Sequence, residues 1–213
     1  MIPYGRQFID EADIEAVVAV LRSDFITQGP AIARFEEKVA EFCGAKHAVA
    51  VANATAALHL GALALGLEPG DRLWTSPNTF IASANCALYC GGRVDFVDID
   101  PRTYNLSAIA LKAKLEAAAE HGTLPKVLVP VHFSGQPCEM EAIASLARAH
   151  GVRVMEDASH AIAIVQPHGK VPEMIDDVIR LHDGVPGTDQ RFIHVADVGE
   201  RPVAGCRCQH QRM

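Results

Sequence analysis

The 213-residue sequence lacks the features that mark several classes of protein. No stretch stays apolar for the roughly 18 residues a membrane span needs, and the opening MIPYGRQF has no hydrophobic core of a secretory signal. A soluble, cytoplasmic protein that does not engage membranes is the expectation. Basic residues are outnumbered, with 19 Lys and Arg against 26 Asp and Glu, a formal net charge of −7. That balance disfavours a nucleic-acid partner, because phosphate binding rests on clustered Lys and Arg that release counterions. The six cysteines (Cys43, Cys86, Cys90, Cys138, Cys206, Cys208) lack the dense spacing of a secreted disulfide scaffold and read mostly as small buried hydrophobes. No internal repeat or low-complexity tract is visible. What remains is ordinary globular composition, 49% hydrophobic and 21% charged, and enough chain for one substantial core.

The hydrophobic pattern alternates between helical and strand-like runs. Asp10 is a plausible N-cap for a helix whose stripe is Ile14, Val17, Val18 and Leu21. A second stripe of Ile32, Phe35, Val39 and Phe42 begins at Gly29-Pro30 and stops at Gly44. Strands are expected at AVAVAN (48–53), RLWTSP (72–77), RVDFVDID (93–100), KVLVPVHF (126–133) and VRVMEDAS (152–159). Helices are expected at 55–65, 80–90, 107–121 and 139–150, four of whose ends meet a glycine. Repeated strand–helix–strand units with strands apolar on both faces predict an α/β fold, a mostly parallel sheet flanked by helices. After about residue 160 the texture changes, and within 164–213 only 174–181 looks helical.

In open α/β sheets, ligands bind at the carboxyl ends of strands, where helix N-termini aim backbone N–H groups at anions. Three such ends carry suggestive residues. Asn53-Ala54-Thr55-Ala56-Ala57 leads into a helix with small residues and a hydroxyl, a phosphate cradle or simply a helix with a Thr55 N-cap. Asn78-Thr79-Phe80 places an aromatic ring at a helix start, where it could stack on a planar cofactor or belong to the core. Glu156-Asp157-Ala158-Ser159-His160 ends an apolar strand with two carboxylates, and an acid there is costly to bury without a cationic partner. His132 and His150 read as ordinary strand-end and helix-end histidines, and Glu116 as part of a solvated helix face. Cys206, Cys208 and His210 lack the spacing and ligand count of a structural zinc site, so no metal is expected.

These sites, with the blocks IPYGRQ, SDFITQGP, FEEKVAEFCGAKHAVAVANATAALHL, GDRLWTSPNTFIASAN, VDFVDIDPRTYN, VPVHFSGQP and MEDASHAI, resemble the DegT/DnrJ/EryC1/StrS sugar aminotransferases. That family is a branch of the fold-type-I pyridoxal-phosphate enzymes. VHFSGQ with DASHAI is most similar to the branch that makes the 4-amino sugar precursor of pseudaminic acid. The resemblance implies transamination of a UDP-linked 4-keto-6-deoxy-N-acetylhexosamine, with pyridoxal 5′-phosphate as cofactor and glutamate as amino donor, in a homodimer. It implies Thr55 and Ala56 at the cofactor phosphate, Phe80 against the pyridine ring, Asp157 at the ring nitrogen and His160 beside the ring hydroxyl. Thr27 and Gln28 fall where the nucleotide-sugar site begins.

The family also requires a lysine, in a Ser-Phe-His-x-x-Lys type segment some two dozen residues past the aspartate, to hold the cofactor as a Schiff base. Lys170 is the only lysine after Asp157, within HGKVP, and lacks that context. His182 falls nearer the expected spacing and would be the base of a sugar dehydratase, but RLHDG matches nothing in the family. The catalytic residue is therefore not identified, and transamination is expected to be impaired or lost. A non-catalytic cofactor or nucleotide-sugar binding module is the alternative. Residues 1–163 are expected to be part of an aminotransferase large domain. Residues 164–213 are expected to be a divergent tail, disordered or the product of truncation and a shifted reading frame.

Overall fold

The structure, a computed structural model, describes residues 9–43 and 45–161 and the backbone of two strands at 178–182 and 191–195. Two helices, α1 (Glu11–Leu21) and α2 (Pro30–Cys43), precede β1 (His47–Val51) and α3 (Ala54–Ala64). Then follow β2 (Arg72–Thr75), α4 (Ala82–Tyr89), β3 (Arg93–Phe96), α5 (Ala108–His121), β4 (Val127–Val129), α6 (Met140–Ala149) and β5 (Arg153–Asp157). Strands β6 (Val178–His182) and β7 (Arg191–Val195) complete the described elements.

Local chemistry accounts for the helix ends. Asp10 caps α1 in a reciprocal box with Asp13, Ser107 Oγ accepts from the Ala110 N–H, and Gly122 closes α5 in the left-handed region at φ 63°. The cap of α3 is Asn53, whose Oδ1 accepts from the Ala56 N–H at 2.9 Å. Thr55 is therefore inside the first turn rather than its cap. Helix α4 begins at Ala82, leaving Phe80 in the loop before it.

The seven strands form one sheet in the order β1-β7-β6-β5-β4-β2-β3, with β6 the single strand antiparallel to its neighbours. The carboxyl ends of β1 to β5 therefore share one edge. Strand alternation sorts the core. Leu73, Val127, Val129 and Met155 pack with Leu58, Ala62, Cys86 and Ala87 of α3 and α4. Trp74, Leu128 and Val154 pack with Leu111, Leu115, Ile143 and Ala147 of α5 and α6. Helix α2 lies with Ala48, Ala158 and Ala161 through Val39 and Phe35. The helix layers follow from right-handed crossovers. Connections moving from β1 toward β3 run over one face and those returning to β5 over the other.

Two readings change. The helix expected over 174–181 is not there: 178–181 belong to β6, and 174–177 lie outside the described residues. Val178 and Ile179 are β-branched, and pairing with β5 and β7 satisfies backbone groups that would otherwise be open between β5 and β1. The apolar stripe of α1 forms a helix as expected but buries none of its residues, with Ile14 48% and Leu21 66% exposed.

Candidate functional site

The site lies at the carboxyl end of β5, where alternation sends the two acids in opposite directions. Asp157 continues the Met155 side toward α4, and Glu156 continues the Val154 side. Both are buried, at 5% and 4% exposure. Asp157 Oδ2 accepts from Ser83 Oγ at 2.6 Å, and Oδ1 accepts from Ser159 through its hydroxyl at 2.7 Å and its N–H at 3.3 Å. Since the Ser83 proton goes to the carboxylate, the Thr79 hydroxyl donates to Ser83 Oγ, at 2.8 Å. Among the described residues, no Lys, Arg or His approaches the Asp157 carboxylate to form an ion pair or hydrogen bond.

Glu156 pairs instead with His132, Oε2 to Nε2 at 2.8 Å. The Cys138 N–H points at His132 Nδ1 from 3.1 Å, so Nδ1 is an acceptor and the proton sits on Nε2, donated to the carboxylate. His132 is thus a buried, fully engaged side chain rather than an ordinary strand-end histidine. Its signal was the apolar run around it, which predicts burial but not a partner 24 residues away. Beside it, burial and the nearby Glu156 charge push the Cys138 thiol up to about 12. Across the sheet, burial, with Cys90 and Asp157 adding to it, does the same to Cys86, again to about 12.

The turn Phe133–Gly135 after β4 is pinned by Asn105. Its Nδ2 donates to the Gln136 and Pro137 carbonyls at 2.9 and 3.0 Å, and its Oδ1 accepts from the Phe133 N–H at 3.0 Å. Gly135, at φ +82°, lies so close to the His160 carbonyl that a Cβ would stand 2.9 Å from it.

Of the residues singled out from sequence, Asp157 and His160 share the β5 exit, with His160 exposed. Phe80 is 74% exposed, which rules out the core reading, and it precedes by three residues the Ser83 that binds Asp157. Thr55 and Ala56 sit half-buried at the start of α3, on the same sheet edge and face. The Ala56 N–H is engaged by Asn53. Thr27 and Gln28 are exposed on the loop before α2, Gln28 at φ 51°, with no hydrogen bond to the others. His182 pairs in register with Val154 while Asp157 pairs with Ile179. The antiparallel register thus carries His182 about 10 Å down the sheet from Asp157, away from the site. His150 and Glu116 match their plain readings, a helix-end contact to the Leu146 carbonyl and an exposed pair with Lys112. Lys170, Cys206, Cys208 and His210 lie outside the described residues. Among the described residues no three side chains of metal-ligating type cluster, and no helix is long and apolar enough to cross a membrane.

Residues 7–175 match the DegT/DnrJ/EryC1/StrS aminotransferase family. The spore coat polysaccharide biosynthesis protein SpsC of Bacillus subtilis is 45% identical over 161 residues, 76% of this chain and 40% of SpsC. A DegT DnrJ EryC1 StrS aminotransferase from Brucella abortus superposes with a TM-score of 0.64 at 35% identity, over 71% of this chain and 40% of that one. NtdA from Bacillus subtilis with bound cofactor PMP superposes with a TM-score of 0.63 at 28% identity, over 72% and 35%. The chain spans about 40% of the length of the curated relatives it matches. With an α/β sheet of mostly parallel strands that overlays such aminotransferases and a family match across most of its length, the chain belongs to the DegT/DnrJ/EryC1/StrS aminotransferase family.

Proposed function

We propose that the chain supplies the pyridoxal-phosphate-binding portion of a sugar aminotransferase. The observation that carries this reading is Asp157, a carboxylate 5% exposed whose partners are two hydroxyls and an N–H, with no cation beside it among the described residues. Burying such a charge is costly unless a positive group arrives to pair with it, and a protonated pyridine nitrogen is such a group. When bound, the cofactor supplies an electron sink for moving an amino group.

The chain's own residues then divide the work. Asp157 holds a proton on the ring nitrogen, and Ser83 and Ser159 fix the plane of its carboxylate. Phe80, exposed on the loop before α4, offers its ring to the flat face. Thr55 offers its hydroxyl, and the open amides of the first α3 turn, to the phosphate; the Ala56 N–H joins only if Asn53 releases it. His160, exposed at the β5 exit, would lie beside the ring hydroxyl, and the exposed Thr27 and Gln28 would serve the substrate side. The substrate we propose is a UDP-linked 4-keto-6-deoxy-N-acetylhexosamine of a pseudaminic-acid type route, aminated from glutamate by a cytoplasmic homodimer. The VHFSGQ and DASHAI blocks, and a relative in polysaccharide biosynthesis, support that choice. Residues 1–163 are proposed to be the large-domain portion, and within 164–213 the strands β6 and β7 extend its sheet between β5 and β1.

Lys170 as the only lysine after Asp157 favours a second reading, that this chain binds cofactor or nucleotide sugar without turning it over. Equilibrium dialysis of pyridoxal phosphate against the full chain and Asp157→Asn, followed by borohydride reduction and peptide mapping, tests both. Saturable binding that Asp157→Asn weakens supports the site. A covalent adduct on a lysine would favour the enzyme over the binding module, and no saturable binding would sink the proposal.

A further inference from the structure

His132 and Glu156 form the buried titratable pair that the proposed cofactor chemistry leaves unused. Three roles are chemically open to it. A metal centre lacks donors among the described residues, because Cys138 Sγ is turned to the Val131 carbonyl at 3.2 Å, leaving one imidazole and one carboxylate there. Proton exchange with a substrate is excluded by occupancy, since His132 is 5% exposed and both ring nitrogens are engaged.

What the pair does is hold a strand end. The His132 N–H donates to the Asp157 carbonyl at 3.0 Å, and the Asp157 N–H donates to Pro130 at 2.9 Å. The imidazole adds a bond to Glu156, the residue before Asp157, and accepts the Cys138 N–H that closes the turn behind it. That turn is the one Asn105 pins and Gly135 presses against the His160 carbonyl. One ring therefore ties Cys138, at the end of the segment 130–138, to Glu156, the residue before Asp157. From this arrangement we infer that His132 is a positioning residue for Asp157: its imidazole, held between the Cys138 N–H and the Glu156 carboxylate, sets where β5 ends and how the Asp157 carboxylate is presented. The inference rests on the reading of Asp157 as the cofactor anchor.

Its mechanism makes a distinction that a merely space-filling histidine would not. The bond to Glu156 needs an acceptor oxygen, not a charge, so Glu156→Gln keeps it while Glu156→Leu does not. The test uses the full chain in four forms: wild type, His132→Asn, Glu156→Gln and Glu156→Leu. Two quantities are read, the dissociation constant for pyridoxal phosphate by dialysis and amide hydrogen exchange at Asp157 and Ser159 without cofactor. His132→Asn and Glu156→Leu are expected to weaken binding about 10-fold and to speed exchange at those two amides about 10-fold, on the scale of one buried hydrogen bond. The amides of α3 and α4 keep wild-type protection. Glu156→Gln, which keeps the side-chain volume and an acceptor oxygen for the imidazole, is expected to lose clearly less than Glu156→Leu on both readouts. Unchanged exchange in His132→Asn, or Glu156→Gln as impaired as Glu156→Leu, overturns the inference. A wild-type chain that binds no pyridoxal phosphate while its variants still change exchange would remove the cofactor reading and leave the positioning of Asp157 standing.

Discussion

Ser83 Oγ donates to Asp157 Oδ2 across 2.6 Å, joining the first turn of α4 to the end of β5 over 74 positions of sequence. Ser83 has no exposure, so the bond has no water to replace it. Ser83→Ala is expected to destabilise the chain by about 1–3 kcal/mol in urea unfolding, because a buried charged acceptor loses a donor. Ser83→Thr keeps the hydroxyl and should recover most of that loss. An Ala variant as stable as wild type would show that the bond contributes nothing in solution.

Asp157→Asn separates stability from binding. Without a cationic ligand the buried carboxylate is an uncompensated charge, so the amide is expected to leave the chain as stable or up to about 1 kcal/mol more stable, while cofactor affinity falls at least about 10-fold. Thermal melts with and without pyridoxal phosphate decide this. A marked loss of stability in the cofactor-free chain would mean that the Ser83 and Ser159 hydrogen bonds already compensate the buried carboxylate.

Cys86 and Cys138, both held at about 12 by burial, are expected to resist thiol-specific reagents at pH 8 in the folded chain and to react once it is unfolded. Mass mapping after a short labelling pulse identifies the sites. Rapid labelling of either thiol would show that its surroundings open readily.

Gly135→Ala meets two obstacles together, a φ of +82° and a Cβ placed 2.9 Å from the His160 carbonyl. A loss of about 1–3 kcal/mol is expected, with faster proteolysis near 133–138. An alanine variant with wild-type melting would indicate that the turn and the β5 exit are not pressed together.

The Lys126 hydrogen bond holds the Asp71 carboxyl below its ordinary 3.8. A lowered folded-state value contributes stability above pH 3.8 that disappears as pH falls through the folded value. Both side chains are about a third exposed, so Lys126→Met is expected to cost no more than about 1 kcal/mol near neutral pH and nothing once the pH lies below the lowered folded-state value. Acid titration of the melting temperature for the two chains should converge at low pH, and a gap that persists there would assign the cost to lost packing.

Much of this molecule was legible from local pattern. The cap at Asp10, the glycine stop at Gly122, and the five apolar runs that became β1 to β5 are short-range features, decided within three or four residues or by a period of two. The same locality placed Asp157 at a strand end and marked its burial as unusual.

Other features depended on contacts that no window of sequence contains. Phe80 could be core or platform until the loop before α4 turned it outward, and His132 was one histidine among ten until Glu156 stood 2.8 Å away. The pattern over 174–181 reads as a helix, yet 178–182 pairs between β5 and β7 as a strand, a contact no local window contains.

Side-chain periodicity and capping act over one turn or one pleat, which was enough to give the α/β class, most element positions and the family-bearing residues. Tertiary structure alone decided which of two adjacent acids faces α4, which hydroxyl orients it and which histidine braces the strand beneath it. Those choices are made by chain segments brought together by the sheet, where burial makes each unmatched polar group costly enough to select its partner.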